Sequence, residues 1–181
     1  MNAFLLSAIC ILGFMCMMYV FALALENNSI ADVGWGCGFI LLCVVNIMHN
    51  EASLRKHTLI MFMVLLWGMR LASYIAIRNW GQPEDFRYAN WRKEWGADAW
   101  WRSFLQVFML QGGLMFVIAL PVIVITSTAH VPGGYYLYPI GAGIWAIGFF
   151  CEGLADYQMF SFKENPHNKG KVMNHCLWKY S

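Results

Sequence analysis

The sequence predicts an all-α fold: a polytopic membrane helical bundle of about five transmembrane helices plus one interfacial amphipathic segment. Three observations lead there. The 181 residues are 60% hydrophobic and only 12% charged, whereas a soluble domain carries about a quarter charged residues. The apolar residues fall in five long runs rather than short periodic ones, so lipid is the solvent for most of the chain. Lys and Arg gather in particular loops between those runs. Backbone groups inside lipid have no water to bind, so the runs must close their own hydrogen bonds as helices.

Residues 3–25 hold no charge over 23 positions, enough to cross a hydrocarbon core of about 30 Å. Ala22-Leu23-Ala24 resembles a signal-peptide cleavage site, but Met1-Asn2 has no Lys or Arg and the run exceeds an ordinary signal core. A retained helix is the expectation. Residues 33–49 form a short second span entered through Asp32, and residues 58–77 a third that contains Arg70. Residues 103–126 are the fourth, with Gln106, Gln111 and Pro121, and 135–155 the fifth, which carries Glu152. The whole chain, 1–181, reads as a single membrane domain with an interfacial loop at 78–102 and a tail at 156–181.

Orientation follows from the basic residues. The loop at 78–102 and the tail together hold nine Lys or Arg, against only Arg55 and Lys56 on the other side. The N-terminus is therefore expected outside and the C-terminus in the cytoplasm. Asn27-Asn28-Ser29 matches a glycosylation sequon but falls on the cytoplasmic side and is discounted. A net charge of +2 excludes a nucleic-acid-binding surface as the main function.

The loop at 78–102 is the only long polar segment. Tyr88, Trp91 and Trp95 recur at i, i+3, i+7, with Arg87, Asn90 and Glu94 on another stripe. This spacing predicts a short helix in the headgroup layer, aromatics inserted and charges wet. It reads first as an interfacial Trp belt and, more sharply, as a cytoplasmic cap over a cofactor site.

Ionisable groups at membrane depth cost several kcal/mol, about 3 by insertion scales, unless paired or hydrated. Arg70, Glu152 and Asp156 are such groups. Glu152 and Asp156 stand at i, i+4 and share a helix face. Taken alone, two carboxylates there read first as an ordinary helix end, and they also suit ribose hydroxyls or an amide. Lys163, Asn168, Lys169 and Lys171 surround Pro166 and Gly170. Lysines beside a turn hold phosphates as point charges, and also anchor a tail on anionic lipid. No glycine-rich nucleotide loop is present. The five histidines are scattered and no metal site is expected. The six cysteines contain no C-x-x-C pair and read mostly as small core hydrophobes.

Six strings in order carry a resemblance. They are Asp32-Val33-Gly34-Trp35-Gly36, Leu66-Trp67-Gly68-Met69-Arg70-Leu71, Gly81-Gln82-Pro83-Glu84-Asp85-Phe86-Arg87-Tyr88, Phe108-Met109-Leu110-Gln111-Gly112, Glu152-Gly153-Leu154-Ala155-Asp156-Tyr157-Gln158 and Leu177-Trp178-Lys179-Tyr180-Ser181. Together they resemble the bacterial, mostly uncharacterised branch of the steroid 5-alpha-reductase-like membrane proteins, which is related to the isoprenylcysteine carboxyl methyltransferases. The resemblance covers essentially the whole chain. It implies a bacterial inner-membrane protein that reduces a carbon–carbon double bond conjugated to a carbonyl in a lipid-like substrate, using NADPH. It places Glu152 and Asp156 near the nicotinamide and ribose, Lys171 near the adenosine phosphates, and Lys163, Asn168 and Tyr180 as neighbours. S-adenosylmethionine-dependent methyl transfer is the alternative the same resemblance allows, and a non-catalytic membrane protein that uses its Trp-rich segment to bind lipid or a partner is the third reading. Oligomeric state is not legible.

The sequence departs from the family pattern at three points. The steroid-type proton donors, a Glu and a Tyr in the N-terminal half, have no clear match. Trp67 stands about where that Tyr is expected, and Tyr74, with Arg70, is the nearest candidate donor to a developing enolate. Family members continue after Leu-Trp-x-Tyr-Ser with Arg-His-Pro-Asn-Tyr and further spans, which grip the cofactor. The chain stops at Ser181, so an incomplete or inactive polypeptide is the expectation. The position before Leu177 is usually Gly and here is Cys176. A Cβ there costs about 1 kcal/mol if the backbone needs positive φ.

Overall fold

Helix α1, Ala3–Ala24, begins where the Asn2 side chain accepts from the Phe4 amide at 3.0 Å and so caps the first turn. It ends in a left-handed turn at Glu26, φ 50°, closed by the Asn27 amide donating to Ala22 O at 3.0 Å. Helix α2, Ile30–His49, starts three residues before the apolar run. The reason is local: Asn27 Oδ1 accepts from the Ser29 amide at 2.9 Å, and the Asn28 and Ser29 carbonyls accept the first helical amides. Asp32 consequently lies in the first turn, where the helix dipole favours a carboxylate.

The computed structural model describes residues 2–49, 54–128 and 137–180. Arg55 and Lys56, counted above for orientation, have side chains outside the described set. Five helices are long and apolar enough to cross a membrane, and no strand occurs among the described residues. The chain is an all-α integral membrane protein. It divides into two compact units, Met1–Val131 and Pro132–Ser181.

In the first unit, α2 packs on α3, Leu54–Asn79, through small residues. A Cβ added at Gly68 meets the Gly36 carbonyl oxygen at 2.7 Å, and one added at Gly36 meets the Ala72 side chain at 3.0 Å. The two backbones touch at this crossing, which is how membrane helices gain dispersion contact without a hydrophobic drive. Phe39 meets Trp67 edge to face, centroids 5.3 Å apart, one turn away. Asn46 donates to Ser7 Oγ at 2.8 Å and so ties α2 to α1 in the apolar layer.

The segment expected to be an interfacial helix followed by a separate span is one helical run. Helix α4, Phe86–Trp95, continues through a 3-10 turn, Gly96–Asp98, and α5, Ala99–Ser103. A π-helical stretch, Phe104–Met109, then leads into α6, Leu110–Ser127. The π turn widens the helix and buries Val107 and Phe108 against α1, where Tyr19 contacts the Phe104 and Phe108 rings. Met115 and Met15 fill the spaces left by Gly38 and Gly112. The core of this unit is Met15, Leu42, Phe108, Met115 and Ile123, each almost wholly buried. Of the six cysteines only Cys43 joins that core, while Cys37, Cys151 and Cys176 are exposed. An outward face in lipid is apolar too, so cysteine is tolerated on either side.

The second unit is α7, Leu137–Glu164, with a tail folded back on it. Asn168 Nδ2 donates to Phe162 O at 3.0 Å and closes the helix end. A 3-10 turn, Cys176–Tyr180, docks on α7: Trp178 Nε1 donates to Ala155 O at 3.0 Å, and the Leu177 amide donates to Gln158 Oε1 at 3.2 Å. Cys176 opens that turn at φ 56°, a conformation that favours glycine.

Candidate functional site

The first unit holds a continuous polar chain built from the first turns of three helices. The loop before α4 is strapped to the α1–α2 turn. Gly81 turns the chain at φ 66°. Glu84 then accepts from the Asn28 amide at 2.7 Å and pairs with Arg92 at 2.9 Å, while the Asp85 amide donates to Ser29 Oγ at 2.8 Å. Asp85 caps α4 by accepting from the Arg87 amide at 3.0 Å.

These fixings deliver Tyr88 to Asp32. The phenol donates to Asp32 Oδ1 at 2.7 Å and accepts from Gln111 Nε2 at 3.0 Å. Gln111 Oε1 in turn accepts from Trp35 Nε1 at 3.0 Å. The second Asp32 oxygen takes Arg87 at 3.3 Å, and Arg87 also grips Asp85 through Nε at 2.9 Å. Tyr88 is 4% exposed. The charged end of the chain is wetter, with Asp32 16% and Arg87 50% exposed. A water-accessible carboxylate therefore backs a buried phenol. The Arg87 guanidinium holds the Asp85 carboxyl below its ordinary range, chiefly by their side-chain hydrogen bond.

Tyr88 thus departs from the expected headgroup-facing stripe. Trp91 and Trp95 stack on each other with centroids 5.7 Å apart, but Tyr88 turns inward because Asp32 and Gln111 offer it two hydrogen bonds that lipid cannot. The charges of the helix are not all free in water either: Arg87 and Arg92 are committed to Asp32, Asp85 and Glu84.

The residues predicted from sequence fall into two groups. Arg70 and Tyr74 are one turn apart on α3, both half-buried, in the first unit. The others lie in the second unit: Glu152 and Asp156 half-buried on α7, Lys163 exposed in its last turn, Asn168 in the turn Pro166–Asn168, Lys171 exposed just beyond, and Tyr180 exposed in the docked turn. The two hydrogen bonds from Leu177 and Trp178 hold the tail motif against the stretch Ala155–Gln158, which contains Asp156. Two of the six strings, far apart in sequence, meet here.

Three more of those strings meet in the first unit, where Asp32 and Trp35, Tyr88, and Gln111 come from one string each. Their roles escaped sequence reading because 56 residues separate Asp32 from Tyr88 and 23 separate Tyr88 from Gln111. The available signal was a polar side chain in each string beside an apolar run.

A family profile described as "Protein of unknown function (DUF1295)" matches residues 18–181. The chain belongs to the DUF1295 family. No curated protein and no solved structure matches it. The DUF1295 match spans every residue of the polar chain and every residue of the folded-back tail.

Proposed function

We propose that this DUF1295 protein is a membrane oxidoreductase that reduces a carbon–carbon double bond conjugated to a carbonyl in a lipid-like substrate, with NADPH as cofactor. One observation carries the reading: a buried phenol, Tyr88, bonded to the Asp32 carboxylate and the Gln111 amide. Hydride addition to an enone leaves an enolate that needs a proton. A buried phenol keeps its proton and can supply one to an enolate, turning it there from Asp32. Methyl transfer has no such requirement, so the pair favours reduction over the methyltransferase alternative. It fills the gap left in the sequence comparison, where no acid and tyrosine were matched. Tyr74 and Arg70 remain the second candidates for contact with the substrate carbonyl.

The second unit fits a dinucleotide by its donor set. Glu152 and Asp156 share a face of α7 and accept from ribose hydroxyls or an amide. Lys163 and Lys171 are exposed and free to meet phosphate oxygens. Asn168 keeps Oδ1 for a ligand, because its Nδ2 closes the helix, and Tyr180 presents an exposed ring. NADPH supplies the hydride when bound. The protein's share is to hold the nucleotide by these residues and to deliver the proton from Tyr88. We place the N-terminus outside and the tail in the cytoplasm of the bacterial inner membrane, where NADPH is found.

Calorimetry of the purified protein in lipid nanodiscs tests the cofactor. The reading expects NADPH to bind and Glu152→Ala with Asp156→Ala to weaken it at least tenfold. Binding of S-adenosylmethionine with no response to NADPH would select the methyltransferase instead.

A further inference from the structure

The polar chain in the first unit has only one consistent direction. The Trp35 indole N–H donates and cannot accept. Its partner on Gln111 must therefore be the amide oxygen, which stands 3.0 Å away. That orientation turns the Gln111 NH2 group to the Tyr88 oxygen, also at 3.0 Å. The phenol oxygen accepts there, so its proton is left for Asp32 Oδ1 at 2.7 Å. Asp32 is the terminal acceptor of the chain, and its other oxygen takes Arg87 at 3.3 Å. A flipped amide would set NH2 against N–H and break the first link.

We propose that Trp35 and Gln111 are positioning residues that fix the direction of the Tyr88 hydroxyl and hold its oxygen as the proton turns from Asp32 to the substrate enolate. The N–H of Gln111 stabilises the oxygen as negative charge develops on it. Trp35 contributes by keeping that N–H, rather than the amide oxygen, turned to the phenol. No substrate need touch either residue. The direction of the chain stands on geometry alone, whereas its use in catalysis rests on the reductase reading above.

The test separates the two. Tyrosine labelled with carbon-13 at the ring carbon bearing oxygen gives an infrared C–O band that reports whether a phenol donates, accepts or does both. The Tyr88 band is isolated by subtracting the spectrum of Tyr88→Phe. The wild-type band is expected to be that of a phenol that donates and accepts. Trp35→Phe frees the amide to flip, and the band is expected to split into two populations. Gln111→Glu replaces the donor by a second acceptor, and the band is expected to shift wholly to a phenol that only donates. A single unchanged band in both variants, each folded by circular dichroism, overturns the proposal. If NADPH-dependent turnover is present, both variants should lower kcat by about tenfold or more and leave KM unchanged, with the basic limb of the pH profile moved upward. Changed bands in a protein without turnover would keep the ordered chain and remove the reductase reading. Turnover insensitive to both variants would remove the positioning role.

Discussion

Tyr88 uses both sides of its hydroxyl, and neither of its partners is replaceable by lipid. Tyr88→Phe leaves Asp32 Oδ1 and Gln111 Nε2 without their partner in a largely buried position. Such a loss costs about 1–3 kcal/mol, and it is expected as a lowered thermal midpoint in detergent. Asp85 gives a second prediction at this scale. Its carboxyl sits below the ordinary range because Arg87 grips it. A depressed carboxyl contributes stability above the unfolded pKa of about 3.9 and loses it as pH falls through the folded value. Unfolding curves measured from pH 7 downward should show this loss in the acid range, and Asp85→Asn should flatten that part of the profile. Cys176 gives a third. At φ 56° a Cβ costs about 1 kcal/mol, so Cys176→Gly should stabilise the docked turn by about that amount. Hydrogen exchange at the Leu177 amide, which donates to Gln158, reads the effect directly.

Among the elements, the α2–α3 crossing carries the sharpest packing prediction. Alanine is the better helix former than glycine by about 1 kcal/mol, which alone favours Gly36→Ala. Here the new Cβ would run into the Gly68 carbonyl and the Ala72 side chain. Overpacking of this kind costs about 1–3 kcal/mol, and a clash with backbone relaxes poorly. Gly36→Ala should therefore destabilise, whereas Gly13→Ala on α1, with nothing within 4 Å, should be neutral or stabilising. Thermal melts of the two variants side by side decide the matter. The helices were legible because lipid demands unbroken apolar runs, and three of the five begin and end within a few residues of those runs, while α7 continues nine residues past its run to Glu164. The remaining span is instructive. Arg87, Arg92, Lys93 and Glu94 hid the continuity of α4 with α6, because charges that find partners or water on one face do not interrupt a helix. The π-helical stretch Phe104–Met109 was not legible at all, since its residues are ordinary and the extra residue per turn is a response to packing.

For the molecule as a whole, the candidate site was half legible. Glu152 and Asp156 announce themselves by spacing along one helix, and their tail is held to that helix by Trp178 and Gln158. The link between Asp32 and Tyr88 depends on a tertiary strap, the loop at 81–85 bonded to the α1–α2 turn, which no local pattern encodes. Under the proposed function, residues of the second unit hold the nucleotide and Tyr88 in the first unit supplies the proton. The most direct test is NADPH oxidation by the protein in nanodiscs with a panel of lipid-like enones, run beside Tyr88→Phe. Enone-dependent loss of NADPH absorbance is expected, falling at least a hundredfold in Tyr88→Phe, the lower range for removing a general acid. Undiminished turnover by Tyr88→Phe, or no NADPH oxidation with any enone, would contradict it.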